Sequence, residues 1–226
     1  MISETLTKEV LTHFACTELT PAYCRTIKYP KLLPVMHFTV HQYRCPFGNL
    51  MTMDTNAMFG KMQLSTIVFT PDTGKNLPVL LIDSMDMKDK HLMYAEYYDC
   101  TAAGAGLPGA RTQREEYAGL PDYAEKPGWY IARRMPCSLI KGGAGCSPGE
   151  LQKMALVCVQ RYLAAAENAG TDPANLAVLG KFQEDMWTLG NPSAGTMTKV
   201  LGKKKAEEFF RTVVMPVQAE EDYTVS

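Results

Sequence analysis

Apolar residues recur along the chain with two periods. In residues 3–15, Leu6, Val10, Leu11 and Phe14 stand at helical spacing, which predicts an amphipathic helix within the first 20 residues, ahead of a connection over 21–34. Four β-rich runs follow at 35–44, 61–70, 76–86 and 90–99, bounded by turn chemistry such as Pro71-Asp72-Thr73-Gly74. Their short connections predict an antiparallel meander. Residues 101–128 are rich in Gly, Ala and Pro around a short predicted helix at 111–120, the kind of irregular segment that often covers a pocket. A fifth strand is expected at 128–134, followed by the glycine-rich connector Lys141-Gly142-Gly143-Ala144-Gly145.

The strongest helix signal is Ser147-Pro148-Gly149-Glu150, an N-cap, a proline at the first helical position and a capping-box glutamate. Leu151, Met154, Ala155, Cys158, Tyr162 and Ala165 then form one stripe, and the helix should stop near Gly170. Helical patterning resumes over 176–189, breaks at Gly190-Asn191-Pro192 and returns over 203–215, with 218–226 expected to be a frayed acidic tail. Strands first and helices later predict an α+β fold with helices laid on a sheet, organised as one domain over 1–226.

A length of 226 residues is enough to bury a core without covalent staples. With 23 basic and 24 acidic residues, the formal charge of -1 argues against a polyanion binder driven by net charge. No basic leader opens the chain and no apolar run is long enough to span a bilayer, so a soluble cytoplasmic protein is expected. The seven scattered cysteines include no Cys-x-x-Cys pair, and they read as reduced packing thiols. Any redox chemistry therefore needs electrons from a partner or from a bound organic molecule. The Gly-x-x-x-x-Gly-Lys-Ser/Thr pattern of nucleotide phosphate loops is missing as well.

Among candidate chemical groups, Asp83 stands out. Alternation places Val79, Leu81, Asp83 and Met85 on one strand face, where a carboxyl loses hydration, its pKa rises, and it can carry a proton near neutral pH. The other reading ends the strand at Ile82 and puts Asp83 in a solvated turn with Ser84 and Asp86. His37 shares a face with Val35, Thr39, His41 and Tyr43, and fits either a proton relay or an ordinary hydrogen-bonded strand histidine. His37 and His41 stand about 13 Å apart on an extended strand, too far to share an ion, so no metal is expected. The glycine-rich connector before a helix offers N–H groups to an anion, or is simply flexible. Lys203, Lys204, Lys205 and Arg211, with Arg133-Arg134, read as solvated faces or as a docking surface for a small acidic electron carrier.

The order of elements, together with these residues, resembles the ferredoxin-dependent bilin reductase family over roughly 34–99 and 127–217. Val35-Met36-His37-Phe38 is similar to the family's first histidine-bearing strand, and Leu77-Pro78 through Asp83 to its catalytic aspartate strand. Thr198-Lys199-Val200-Leu201-Gly202, Ala206-Glu207-Glu208-Phe209-Phe210 and Val213-Val214 resemble the family's closing helix signature. The resemblance implies a three-layer α/β/α sandwich with a central antiparallel sheet. It further implies a linear tetrapyrrole such as biliverdin held between the sheet and the C-terminal helices. No tightly bound cofactor is implied, because reduced ferredoxin supplies electrons singly, the protein supplies protons, and the bilin passes through radical states. Asp83 would be the proton donor to the tetrapyrrole and His37 a hydrogen-bonding relay to the carbonyl end of the pigment, with Leu64, Thr66, Val68, Leu81, Met85 and Asn191 lining the site.

Two positions depart from the family pattern. Thr66 stands where the phycocyanobilin-forming members carry another pocket histidine, and Asn191 aligns with a second carboxylate of some relatives; neither side chain supplies a mobile proton. One credible acid then favours a single two-electron reduction, a different double bond or another substrate. The same departures leave room for a bilin- or haem-binding protein without catalysis, or for a reductase of another opened tetrapyrrole such as a chlorophyll catabolite.

Overall fold

The computed structural model describes residues 1–30, 35–107, 109–125 and 127–217; the expected tail at 218–226 and the end of the 21–34 connection lie outside the described residues. Helix α1 (Ile2–His13) precedes two short strands, β1 (Thr17–Leu19) and β2 (Thr26–Tyr29). Five long strands follow as a meander: β3 (Met36–Cys45), β4 (Gly48–Ala57), β5 (Met62–Pro71), β6 (Val79–Met87) and β7 (Lys90–Tyr98). After α2 (Ala110–Glu116), strand β8 (Leu139–Ala144) completes an antiparallel sheet in the order β1-β3-β4-β5-β6-β7-β8, with β2 beside β1 on the outer edge of β3. The remaining helices are α3 (Pro148–Glu167), α4 (Ala174–Thr188), α5 (Ala194–Leu201) and α6 (Lys203–Phe209), the last running into a π-helical turn at Phe210–Val214.

Side-chain alternation divides this sheet into two packed faces. On the first, Leu50, Ile67, Phe69, Leu80, Ile82 and Tyr97 meet Leu6 and Val10 of α1 and Leu151, Met154, Cys158 and Tyr162 of α3. On the second, Val40, Met51, Val68, Val79 and Tyr98 meet Leu179, Phe182 and Met186 of α4, Met197 of α5, and Phe209, Phe210 and Val213. The result is the expected α+β three-layer sandwich.

Several local expectations change. Residues 128–134 form a 3-10 turn, Trp129–Arg133, in place of a fifth strand. Trp129 packs on Phe182 and the adjacent Tyr130 packs on Tyr98, so two consecutive rings approach the same helix-covered face, which a strand's alternation forbids. Strand β4 lies in a stretch whose Asn49, Thr52, Asp54 and Thr55 obscure any apolar pattern. Its polar groups are satisfied internally: Gln42 donates to Asn49 at 2.7 Å, Asn49 donates to the Val213 carbonyl at 3.1 Å, and Ser3 and Ser65 each donate to Asp54 at 2.6 Å. Leu11 is exposed, so the buried stripe of α1 is Ile2, Leu6 and Val10. Cys16 and Cys45 form a disulfide between the start of the sheet and the end of β3, correcting the reading of seven reduced thiols.

The glycine-rich connector is mostly strand. Gly142, at φ +139°, lies so close to β7 that a Cβ would stand 2.2 Å from the His91 carbonyl oxygen. Gly142→Ala should therefore lower stability by more than about 1 kcal/mol. Gly119→Ala, where a Cβ meets nothing within 4 Å, serves as the near-neutral control. Urea midpoints of the two variants check the difference.

Candidate functional site

Cross-strand pairing arranges the second face in rows. One row runs Val40, Met53, Thr66, Asp83, Tyr94 and Ile140 across six strands. Toward the β4–β5 turn lies the row containing Phe38, Leu64, Met85 and Leu92, and beyond it Met36, Met62, Met87 and Lys90. In the opposite direction lies Met51, Val68, Leu81 and Glu96. Met51 and Val68 are completely buried under the helices, whereas Leu64, Thr66, Leu81, Asp83, Met85 and Tyr94 are partly exposed. The helical layer thus stops short of the middle strands and leaves a partly exposed apolar stretch of sheet in which Asp83 sits between Leu81 and Met85.

Asp83 is part of β6, so the strand reading holds over the turn reading. Thr66, directly opposite on β5, donates its hydroxyl to Asp83 Oδ1 at 2.5 Å. Burial raises the Asp83 pKa to about 6, and the Thr66 hydrogen bond opposes this only in part. The group consequently holds a proton at mildly acidic pH and releases it near neutrality. The tyrosine pair Tyr94 and Tyr123 closes one side, with ring centroids 6.2 Å apart. Lys90 Nζ sits 4.6 Å above the Tyr123 ring.

A second carboxyl shares this face. Glu96 lies on β7, two residues beyond Tyr94, which makes it a diagonal neighbour of Asp83. It is buried, accepts the Tyr98 hydroxyl at 2.9 Å and pairs with Arg134. The Arg134 guanidinium also reaches both carboxylate oxygens of Glu125, one of them at 2.7 Å. Burial raises the Glu96 pKa to about 7; Arg134 and then Tyr98 act against that shift, and the charge on Asp83 adds to it. For Arg134, burial works against the charge, and Glu125, ahead of Glu96, outweighs it and holds the guanidinium firmly cationic. The arginine is thus shared between Glu125 and Glu96, and burial keeps Glu96 high beside the cation.

The sequence-predicted residues divide accordingly. Thr66, Asp83, Leu64, Leu81 and Met85 come together on the partly exposed stretch. Val68 shares their face but is fully buried beneath the helices, so it supports the site from below. His37 falls on the opposite face: Phe38 and Val40 of β3 pack with the α4–α6 layer, and alternation turns His37 away, opposite Asn56 and Lys28. The separation of His37 from Asp83 is a consequence of strand parity. Asn191 belongs to the helical layer, where its amide donates to the Met186 carbonyl at 3.0 Å and accepts from Ser193 and Ala194, so both ends are spent on the α4–α5 loop.

The basic groups also separate. Lys203, Lys204 and Lys205 are exposed at the start of α6, while Arg211 pairs with Glu184 and Glu207, and Arg134 is largely buried in its carboxylate cluster. Glu96 and Arg134 were legible only in part. The alternation Tyr94, Glu96, Tyr98 places a glutamate between two tyrosines, but the arginine's burial depends on the turn at 129–133 folding back on β7. Two surface depressions, of about 510 Å3 beside Leu107 and Thr112 and about 660 Å3 beside Tyr117 and Lys153, open around α2 and the start of α3 and include no residue of the Asp83 row.

Comparison with known proteins locates the fold. No family model matches the chain, and no curated protein matches it in sequence. Among solved structures, the chain is similar to phytochromobilin synthase from tomato in complex with biliverdin, with a TM-score of 0.73 at 12% identity, covering 92% of this chain and 79% of that one. The likeness is one of fold.

The raised Asp83 pKa fixes the sign of a stability profile. The native state keeps this proton to higher pH than the unfolded chain, so folding stability falls as pH rises from about 4 to about 6, by up to about 3 kcal/mol. Asp83→Asn retains an acceptor for Thr66 and should lose this slope, its stability relative to wild type climbing across the same window. Urea midpoints at a series of pH values measure the difference; parallel profiles would mean that Asp83 titrates as an ordinary surface carboxylate.

Proposed function

We propose that this protein reduces a linear tetrapyrrole of the biliverdin type, using electrons from reduced ferredoxin and protons from its own carboxyl groups. The observation that carries this reading is Asp83, a proton-holding carboxyl within a partly exposed apolar stretch of sheet. It occurs in a fold shared with a protein crystallised with biliverdin. The sequence resemblance, which rests on the strand ending at Asp83 and on the closing helices, points to the same chemistry.

In this reading the tetrapyrrole lies on Leu64, Leu81 and Met85, where flat apolar rings replace water against the sheet. Met36, Met62 and Met87 extend the same surface with polarizable, adaptable side chains. Asp83 hydrogen-bonds a polar atom of the substrate and transfers its proton as the ring system gains electron density. Thr66 keeps the carboxyl aimed by donating to the oxygen that does not carry the proton. Electrons arrive one at a time from ferredoxin, for which the exposed Lys203, Lys204 and Lys205 provide a basic approach surface suited to an acidic carrier. His37, on the far face, takes no part in this scheme.

Anaerobic incubation with biliverdin and a ferredoxin-reducing system, followed by absorbance, is the direct test. The wild-type protein should bind the pigment and then shift its spectrum as a conjugated double bond is lost. Asp83→Asn should bind comparably and turn over at least about 100-fold more slowly. A coloured complex that survives reduced ferredoxin unchanged would identify a bilin carrier, and turnover of an opened chlorophyll pigment in preference to biliverdin would reassign the substrate. Failure to bind either pigment would overturn the reading.

A further inference from the structure

Adding two electrons to a double bond requires two protons, and Asp83 holds one. We infer that Glu96 stores the second proton and passes it to Asp83 after Asp83 has protonated the substrate. The inference rests on the bilin-reductase reading and deepens it, because it supplies a proton source that neither Thr66 nor Asn191 can provide.

Three geometric facts carry it. Glu96 and Asp83 project from adjacent strands onto the same face as diagonal neighbours, whose Cα atoms stand about 7–8 Å apart, and the charge on Asp83 acts on Glu96. Glu96 is buried while Asp83 is partly exposed, so Asp83 is the more accessible of the two carboxyls to a substrate on the sheet. The charges also balance in a resting state that holds both protons. The titratable and charged groups facing Glu96 are Asp83 from β6, Tyr94 and Tyr98 from its own strand, Tyr130 and Arg134 from the 3-10 turn and its end, and Glu125 from the preceding loop. With Arg134 and Glu125 both charged and the tyrosines neutral, the cluster is neutral when Asp83 and Glu96 each carry a proton. Losing both leaves two uncompensated negative charges in a low-dielectric site, which favours their return. The raised Glu96 pKa agrees with this count.

The steps balance. The substrate takes one electron from reduced ferredoxin and the Asp83 proton, giving a neutral radical and an Asp83 carboxylate. Glu96 then passes its proton to Asp83, and the substrate takes a second electron and that proton. The product has gained two electrons and two protons, two ferredoxins are oxidised, and both carboxylates are reprotonated from solvent through Asp83 when the product leaves.

Single-turnover reduction of biliverdin by the full-length protein, followed optically and by electron spin resonance, tests the order of events. Glu96→Gln keeps an acceptor for Tyr98 and Arg134. It should form the radical at the wild-type rate and slow its decay about 100-fold, with the radical accumulating. Glu96→Asp should restore part of the second step. Tyr98→Phe removes a hydrogen bond that favours the Glu96 carboxylate and should move the upper inflection of the pH–rate profile to higher pH, which gives a readout should Glu96→Gln fail to fold. Radical decay and a pH profile in Glu96→Gln identical to wild type would overturn the Glu96 assignment while leaving bilin reduction standing. A wild-type protein that binds but does not reduce any tetrapyrrole would overturn the underlying reading itself, and the proton store with it.

Discussion

Strand parity governs the whole molecule. From β3 through β7 the pairing continues in register, so a residue's face on one strand fixes the faces of all its partners across the sheet. This constraint assembles Thr66, Asp83 and Tyr94 into one row and sends His37 to the opposite layer. A slip of a single residue between β5 and β6 would exchange Asp83 for Ile82 or Ser84 and bury a carboxyl against α3. The apolar partners on both faces, Ile82 below and Val79 above, hold the register against that slip.

The site then follows from where the second helical layer ends. Over Met51, Val68 and Val79 the helices leave no solvent, and the sheet there is ordinary core. Over the middle of β5, β6 and β7 the same alternation continues without full cover. Apolar residues remain because the pattern needs them, and they become a surface able to accept a flat apolar molecule. Asp83 occupies the boundary between the two regimes, desolvated enough to keep a proton and exposed enough to deliver it.

Much of this was readable in advance. The meander, the start of α3 at Pro148 and the apolar company of Asp83 all express local rules, period two, period 3.6 and proline in the first helical turn, that act within a few residues; the expected Ser147 cap is not among them, since its side chain makes no cap hydrogen bond. What escaped depended on contacts distant in sequence. Strand β4 is polar because its Asn49 and Asp54 are satisfied by residues from α1, β3, β5 and the C-terminal turn. Arg134 looks like half of a surface pair until the 3-10 turn brings it onto Glu96. His37 was misjudged for a different reason: the strand pattern already separated it from Phe38 and Val40, but only the register of three further strands shows that Asp83 shares their side.

The two borders of the sheet have a consequence of their own. Along the outside of β3, the short strands β1 and β2 occupy successive stretches of the ladder. Along the outside of β8, the loop after α2 donates from Tyr123 to the Ile140 carbonyl and accepts at Pro121 from Gly142, each at 3.0 Å. Neither border of an otherwise long, regular sheet therefore offers an extended row of free donors and acceptors among the described residues. The architecture can leave an apolar area of the sheet open without inviting strand-by-strand aggregation, because the face is accessible while the margins are closed to other chains.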